Sequence, residues 1–206
     1  MITGAVVFDG KEFQQGLKVR LEKGRVLETG ESLTPRKGET ELGLNGDFLL
    51  PGFVDVHIHA FRGRDTMQGE EAVRAISREL AKTGVVVFCP TTMSASPEDT
   101  RKALRGIRAV MERPEDCGAR VAGAHMEAPF LREEKAGAQR KEYFRDPDWS
   151  LFNWMTDGHT EAVRLITLAP ERKGTETFIR EAKAHGVHVS IGHTSADAET
   201  VHLAAD

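Results

Sequence analysis

The sequence is poor in cysteine and lacks any long apolar run. It has two cysteines, Cys89 and Cys117, which show no C-x-x-C spacing and are too few for a disulfide framework. We therefore expect two reduced thiols in a cytoplasmic protein. No segment approaches the ~18 apolar residues that span a bilayer, and the N-terminus has no basic stretch followed by an apolar one. These absences disfavour secretion and membrane insertion.

The sequence also lacks an excess of positive charge. Its formal net charge is −4, and its lysines and arginines are spread along the chain rather than clustered. Because a phosphate polymer would meet no extended basic surface, nucleic acid is not expected as a partner. The 206 residues are 39% apolar and contain no low-complexity tract. That composition is typical of one globular domain, or of one domain plus a small appendage.

The chain changes character near residue 50. Before it, short apolar segments alternate with turn signals such as Asp9-Gly10 and Lys23-Gly24, which predicts strands at 4–8, 17–22, 25–28 and 48–50. Residues 1–50 are therefore expected to form a small β element. From Pro51 onward, apolar strands alternate with amphipathic helices, the pattern of βα units around a parallel sheet.

Five strand and helix units are predicted after Pro51. The predicted strands are 53–59, 85–90, 120–127, 164–168 and 187–191, and the predicted helices are 70–83, 97–112, 159–163, 175–185 and 196–205. Ser96 and Pro97 are typical of a helix start, and residues 131–150 are expected to be a long polar insertion. The expected fold class is α/β, a (β/α)8 TIM-type barrel. Because such a barrel needs eight units and ~250 residues, five units leave it unfinished, with apolar strand faces exposed.

Polar residues follow the predicted strands at four places. These residues are His57 and His59, His125 and Glu127, Glu171, and His193. In a parallel barrel these strand ends open on one face, where active sites lie. His57 and His59 end a strand expected to be buried and apolar, and they project to the same side because side chains alternate. Neutral imidazole is a preferred ligand of zinc and similar metals, so the constellation predicts a metal centre.

Several of these residues also have a purely structural interpretation. Glu127 can be a buried carboxylate with local donors, although leaving it unpaired would cost roughly several kcal/mol that a metal would remove. His193 can be a hydrogen-bonded core histidine. Asp55 either orients an imidazole or bonds the local backbone. Cys89 is interpreted as a buried, inert thiol.

Five motifs carry a family resemblance. Residues 51–59, Pro-Gly-Phe-Val-Asp-Val-His-Ile-His, resemble the opening strand of the amidohydrolase superfamily. Four others resemble the N-acetylglucosamine-6-phosphate deacetylase family within it. They are Pro-Thr-Thr-Met at 90–93, Gly-Ala-His-Met-Glu-Ala-Pro-Phe-Leu at 123–131, Ile-Thr-Leu-Ala-Pro-Glu at 166–171 and Ile-Gly-His-Thr at 191–194. With the N-terminal β element, the resemblance runs along the whole chain.

The resemblance implies a metal-dependent hydrolase that converts N-acetylglucosamine 6-phosphate to glucosamine 6-phosphate and acetate in amino-sugar catabolism. It makes residues 1–50 part of a small β-sandwich and residues 51–206 the N-terminal part of a (β/α)8 barrel. Glu127 and His193 match the family's principal metal ligands, and His57 and His59 match a pair that binds a second metal in some members. The implied cofactor is one or two divalent ions, zinc first, with iron, manganese or cobalt as alternatives.

The chain departs from the family pattern around the expected site. The family's Lys-Gly-Ala-His loop reads Ala-Gly-Ala-Gln at 136–139, so Ala138 and Gln139 occupy the substrate-binding positions and Gln139 replaces a histidine. Ala128 replaces the usual glycine. The resemblance implies a further metal histidine and the acid–base aspartate beyond Asp206, so no residue here is assigned as catalytic. Without that aspartate, the rate should fall by ~10² to 10⁴.

Two alternative functions are also compatible with the sequence. One is a catalytically inactive metal-binding half-barrel or interaction module that self-associates through its open sheet edge. The other is a deacetylase of another N-acetylated sugar or amino acid, since Gln139 can hydrogen-bond but cannot carry charge. A cyclic-amide hydrolase is disfavoured because residues 169–171 read Ala-Pro-Glu and offer no lysine for carboxylation. The expected partners are a small amino-sugar phosphate and either a second copy, forming a dimer, or a missing C-terminal segment.

Overall fold

The computed structural model describes residues 1–205. The chain divides into two compact units, Met1–Gly52 and Phe53–Asp206. Each unit has a hydrophobic core of its own. Among residues 1–205, none of the helices combines the length and apolarity that crossing a membrane requires.

The N-terminal unit consists of two small sheets. Its strands are β1 (Ile2–Thr3), β2 (Val6–Phe8), β3 (Phe13–Gln14), β4 (Lys18–Glu22), β5 (Arg25–Gly30), β6 (Leu42–Gly43) and β7 (Phe48–Leu49). One sheet has the order β5-β4-β1-β6 and the other β3-β2-β7. Ala5, Val7 and Val19 form its buried core. The four predicted strands are confirmed, whereas the two-residue strands β1, β3 and β6 were not predicted.

A buried arginine links several segments of this unit. The Arg20 guanidinium donates to Glu39 Oε1 at 2.9 Å, to the Thr34 carbonyl oxygen at 2.6 Å and to Glu28. The backbone N–H of Arg36 donates to Glu39 Oε2 at 2.9 Å. The hydrogen bond from Arg20, followed by that from Arg36, lowers the pKa of Glu39 to about 2.

Acid should weaken this unit through Glu39. Because its pKa falls from 4.5 to about 2 on folding, its contribution to stability is complete above pH 4.5 and is lost as the pH falls through about 2. We expect Glu39→Gln to reduce the hydrogen-exchange protection of β4 amides near neutral pH, and the difference from the wild type to shrink in acid. Glu31→Gln, at an exposed position, is the control. A difference that does not change with pH would contradict this account.

The second unit is built on parallel strands. Its strands are β8 (Phe53–Ile58), β9 (Ala60–Phe61), β10 (Arg64–Asp65), β11 (Val85–Thr92), β12 (Arg120–Val121), β13 (Ala124–Met126), β14 (Val163–Leu168) and β15 (His188–Ile191). Its helices are α1 (Glu70–Ala81), α2 (Pro97–Glu112), α3 (Trp149–Met155), α4 (Thr175–Ala184) and α5 (Ala198–Ala205). β8 pairs with β11, which pairs with β12 and β13, and the sheet continues through β14 to β15, every pairing being parallel. The predicted fold class is confirmed as five strand positions of a (β/α) barrel.

The third predicted strand is interrupted. The prediction of a continuous strand over 120–127 was wrong, because β12 ends at Val121 and β13 begins at Ala124. Gly123, between them, has a φ of 141°, and a Cβ there would lie 2.7 Å from Cβ of Arg164. The backbone at Gly123 approaches the next strand too closely for any side chain. The strand is therefore interrupted at a position that only glycine can occupy.

The predicted polar insertion contains more structure than expected. α3 begins at Trp149, where the Asp148 side chain accepts a hydrogen bond from the Leu151 N–H at 2.8 Å as an N-cap. Short 3-10 turns occupy Glu133–Lys135 and Lys141–Tyr143. The helix predicted at 159–163 is a further 3-10 turn, Thr160–Ala162. A small buried cluster anchors the insertion: Ala128, Leu131, Ala136 and Phe144.

The hydrophobic core of this unit lies between the sheet and the helices α1, α2 and α4. β8 differs from the other strands, since Phe53, Val54 and Val56 are 56%, 65% and 52% exposed. The prediction that this strand is buried was wrong. Within residues 1–205, β8 pairs with β11 alone and therefore lies at an edge of the sheet.

The start of α2 agrees with its sequence signals, and its middle contains a close contact. Ser96 Oγ accepts a hydrogen bond from the Asp99 N–H at 3.1 Å, and Pro97 lies in the first turn, as predicted. Farther along, a Cβ on Gly106 would lie 2.6 Å from the backbone nitrogen of Glu70. α2 thus crosses the beginning of α1 without room for a methyl group.

Gly106→Ala should therefore destabilise the protein. Helix propensity alone would favour alanine by about 1 kcal/mol, but overpacking against a backbone should outweigh that gain and cost about 1–3 kcal/mol. Chemical denaturation would measure the change. Lys102→Ala, at an exposed position of the same helix, should be nearly neutral. A more stable Gly106→Ala protein would contradict the close approach of the two helices.

Candidate metal centre

The carboxyl ends of the parallel strands bring four predicted residues to one edge of the sheet. The registers pair Ile58 with Pro90, Met126 with Ile166, and Leu168 with Ile191. His57 is the penultimate residue of β8, His59 comes just after that strand, Glu127 follows β13, and His193 follows β15 by two residues. The ends of β8, β13 and β15, alternate strands of the parallel sheet, therefore supply every member of the cluster.

Glu127 contacts all three imidazoles. Its Oε2 lies 3.0 Å from His59 Nε2, and its Oε1 lies 3.1 Å from His193 Nε2 and 3.5 Å from His57 Nε2. The Nε2 atoms of His57 and His59 are 3.2 Å apart. Ligand atoms of His57, His59 and Glu127 all lie within 4.8 Å of one another, which is a group that could hold a metal ion. His193 reaches the same carboxylate from outside this group of three.

Backbone carbonyls set the tautomers of two imidazoles. His59 Nδ1 lies 3.1 Å from the carbonyl oxygen of Thr91, and His193 Nδ1 lies 2.7 Å from that of Lys135. A carbonyl oxygen only accepts, so Nδ1 carries the proton and a neutral ring has its lone pair on Nε2. Both lone pairs then face the Glu127 carboxylate, which also only accepts. A proton or a cation must lie between these groups, so this donor set fits a divalent metal.

The electrostatics of Glu127 depend on the same imidazoles. Burial raises its pKa, but hydrogen bonds from His59 and His193 and the charges of His59 and His57 outweigh burial and lower the pKa to about 2. The hydrogen bond to Glu127 is in turn the main cause that raises the pKa of His59. Glu127 is only 7% exposed. An ionised carboxylate in such a buried place requires a cationic partner.

His193 is held in an unusual backbone conformation. Its φ is 51°, in the left-handed region, which costs about 1–2 kcal/mol for a residue with a Cβ. The Arg132 N–H donates to the His193 carbonyl oxygen at 3.0 Å. Glu171 accepts hydrogen bonds from the Thr194 hydroxyl at 2.5 Å and the Ser195 N–H at 2.7 Å. Glu171, singled out in the sequence as a polar residue after a strand, thus anchors the turn that follows His193.

Two other candidates support the centre from beside it. His125 Nδ1 donates to the Val56 carbonyl oxygen at 3.0 Å, and its Nε2 accepts from the Thr167 hydroxyl at 2.8 Å. Burial lowers the pKa of His125 to about 4, so this ring is neutral, and it packs edge-on against His57 with 4.8 Å between ring centres. Asp55 accepts from the backbone N–H of His57 at 3.0 Å, which is the second of its two predicted roles.

The loop that carries the predicted substrate-binding residues borders the centre. Ala138 is exposed, whereas Gln139 is buried and its amide donates to Glu127. A Cβ on Gly137 would lie 3.7 Å from His193 Cε1. The loop therefore lies beside the carboxylate and the imidazole.

Sequence reasoning missed the groups that orient the imidazoles. Thr91 contributes its carbonyl oxygen to His59 and its hydroxyl to the Ile58 N–H at 2.9 Å, and Lys135 contributes its carbonyl oxygen to His193. A main-chain contact leaves no signature in the side chain. The motif at 90–93 was the one sequence feature that marked Thr91.

The fold and the site define the class of barrel proteins that can hold a metal at the carboxyl ends of their parallel strands. A sequence profile described as the Amidohydrolase family matches residues 48–206. The chain belongs to the amidohydrolase family, and the superfamily predicted from residues 51–59 is confirmed.

Individual relatives are similar along most of this chain. An N-acetylglucosamine-6-phosphate deacetylase of Vibrio furnissii is 32% identical over 200 residues, which are 96% of this chain and 50% of the relative. The human protein of that name is 34% identical over 196 residues, 91% of this chain and 47% of the relative. The solved structure of a variant of the Mycobacterium smegmatis deacetylase, in complex with N-acetyl-D-glucosamine-6-phosphate, has a TM-score of 0.84 and 28% identity, covering all of this chain and 52% of that one. The chain spans about half the length of the curated relatives it matches.

Proposed function

We propose that this chain is the metal-binding part of a deacetylase that converts N-acetylglucosamine 6-phosphate to glucosamine 6-phosphate and acetate. The observation that carries the proposal is the convergence of two imidazoles, with tautomers set by backbone carbonyls, on the buried carboxylate of Glu127. The names of the relatives support the choice of substrate. In this proposal residues 1–50 form a small β-sandwich domain and residues 51–206 the barrel domain.

The proposed ligands are Glu127 and His193 for one ion, and His57 and His59 for a second where two are bound. Imidazole and carboxylate donors favour zinc, with iron, manganese or cobalt as alternatives. When bound, a divalent ion would polarise the acetamide carbonyl and lower the pKa of water.

The residues of the chain would orient the ligands and border the substrate. The carbonyl oxygens of Thr91 and Lys135 hold two imidazoles with Nε2 toward the centre. The loop at 136–139 is proposed to face the amino sugar, with Ala138 exposed toward it and Gln139 behind. No residue of this chain is proposed as the general base.

Acetate release tests the proposed reaction. The purified chain would be loaded with Zn²⁺ and incubated separately with N-acetylglucosamine 6-phosphate, N-acetylglucosamine and an N-acetyl amino acid, and acetate would be measured by proton NMR. Because the chain holds no proposed general base, we expect slow release, ~10² to 10⁴ below the rate with that base, which a chelator abolishes and which is fastest with the phosphorylated sugar. Faster release from another substrate would favour the alternative function, a deacetylase of another N-acetylated sugar or amino acid. Metal binding without any metal-dependent release would favour a non-catalytic metal-binding module.

The proposal also includes a compartment and an oligomeric state. Cys89 and Cys117 are free thiols, which supports a reducing, cytoplasmic location. The exposed apolar side chains of β8, including Val54 and Val56, support association with a second copy along this edge strand. Light scattering should give the mass of two chains of 22.7 kDa. The mass of a single chain would contradict the proposed dimer.

A further inference from the structure

Gln139 is buried beside the metal centre, and both ends of its amide have partners. It is 6% exposed. Its Oε1 accepts a hydrogen bond from the backbone N–H of Ser94 at 2.7 Å, and its Nε2 donates to Glu127 Oε2 and lies 3.5 Å from Met93 Sδ. Because a backbone N–H only donates, the amide oxygen must face Ser94 and the NH₂ group must face the carboxylate.

The surroundings of Gln139 hold this arrangement in place. Ser94 lies two residues after β11, and Glu127 directly follows β13, so the amide joins two neighbouring strand ends. The Ser94 hydroxyl accepts from the backbone N–H of Arg140 at 2.5 Å, and the Gln139 N–H donates to the carbonyl oxygen of Ala136 at 3.0 Å. The backbone N–H groups of Gln139 and of the next residue, Arg140, are therefore both hydrogen-bonded. The side-chain amide of Gln139 has little freedom to turn toward a substrate.

We propose that Gln139 is a positioning residue that orients the Glu127 carboxylate for metal binding, in place of the substrate contact implied by the family resemblance. The inference rests on the proposed metal centre. An N–H donor to a ligating carboxylate restricts its rotation and leaves the remaining lone pairs directed at the imidazole side. Loss of such an outer hydrogen bond typically weakens metal affinity by ~10- to 100-fold.

Cobalt binding tests this role without any substrate. Gln139→Met keeps an unbranched side chain of similar length and removes both hydrogen bonds. Titration of the full chain with Co²⁺, followed by visible absorption, should show ~10- to 100-fold weaker binding and an altered ligand-field spectrum. Gln15→Met, at an exposed position, should bind Co²⁺ as the wild type does. Gln139→Asn keeps the amide on a stem one methylene shorter, and we expect weaker binding for it also.

The other outcomes separate this role from its competitors. Unchanged Co²⁺ affinity and spectrum in both variants would overturn the proposal. With a raised KM, that result would indicate a substrate contact. With a lower Tm of the metal-free protein, it would indicate a purely structural role. Failure of the wild type to bind Co²⁺ would overturn the metal centre and this role together. Weaker cobalt binding by the variants, in a chain that releases no acetate, would support the positioning role and contradict only the proposed reaction.

Discussion

Glu127→Gln should remove metal binding while preserving the fold. Glutamine has the same shape, but it cannot present a negative charge to the three imidazoles whose Nε2 atoms lie 3.0 to 3.5 Å from the carboxylate oxygens. Because loss of a group that merely supports a ligand costs ~10- to 100-fold in affinity, loss of this shared carboxylate should cost more than ~100-fold. Equilibrium dialysis against Zn²⁺ with metal analysis would measure it.

Thermal stability gives a second readout of the same substitution. A metal that binds only the folded state stabilises it by about 2.7 kcal/mol when present at about 100 times its Kd. The wild type should therefore show a rise in Tm with Zn²⁺ that Glu127→Gln lacks. Glu142→Gln, at an exposed position of the same insertion, is the matched control and should keep the rise. Stoichiometric, tight binding by Glu127→Gln would contradict the assignment of the carboxylate as the centre of the site.

The barrel could be predicted because its signal is repeated. Each parallel strand is a short apolar run followed by an amphipathic helix, and five repetitions of that pattern leave little choice of fold. The errors fall where tertiary contacts decide the local structure. The break at Gly123 depends on the backbone of a strand some 40 residues later, and the exposure of Val54 depends on which strands flank β8. Neither is visible in a local sequence window.

The site was predictable in its side chains but not in its orientation. His57 and His59 share a face because of strand alternation, and the parallel registers bring Glu127 beside them. The tautomers depend instead on two main-chain oxygens, and the position of His193 depends on a left-handed turn. For Gln139, the resemblance implied a substrate contact, whereas the hydrogen bonds of its amide to Ser94 and Glu127 became apparent only in the folded chain.

Substitutions of His193 should separate the imidazole from its backbone. Both His193→Gly and His193→Ala remove the side chain that faces Glu127. Loss of a hydrogen-bond partner of a ligand weakens metal binding by up to about 100-fold. Loss of a ligand itself should weaken metal binding by about 100-fold or more. The two variants should differ in stability. At a φ of 51°, alanine pays the left-handed cost of about 1–2 kcal/mol and glycine does not, so the metal-free glycine variant should be the more stable by about 1 kcal/mol.

The sign of that difference is the informative result, because glycine is normally less stable than alanine by about 0.5–1 kcal/mol. His202, exposed in α5, provides the matched pair, and there the alanine variant should be the more stable. Denaturant unfolding of the four metal-free variants would measure both differences. If His193→Gly were the less stable of its pair, the turn held by Glu171 would not be strained. If the His193 variants changed in stability but not in metal affinity, the His193 side chain would have only a packing role. The expected combination, a metal-free protein made more stable by glycine and a site made weaker, means that the backbone strain at His193 is maintained to direct Nε2 at Glu127.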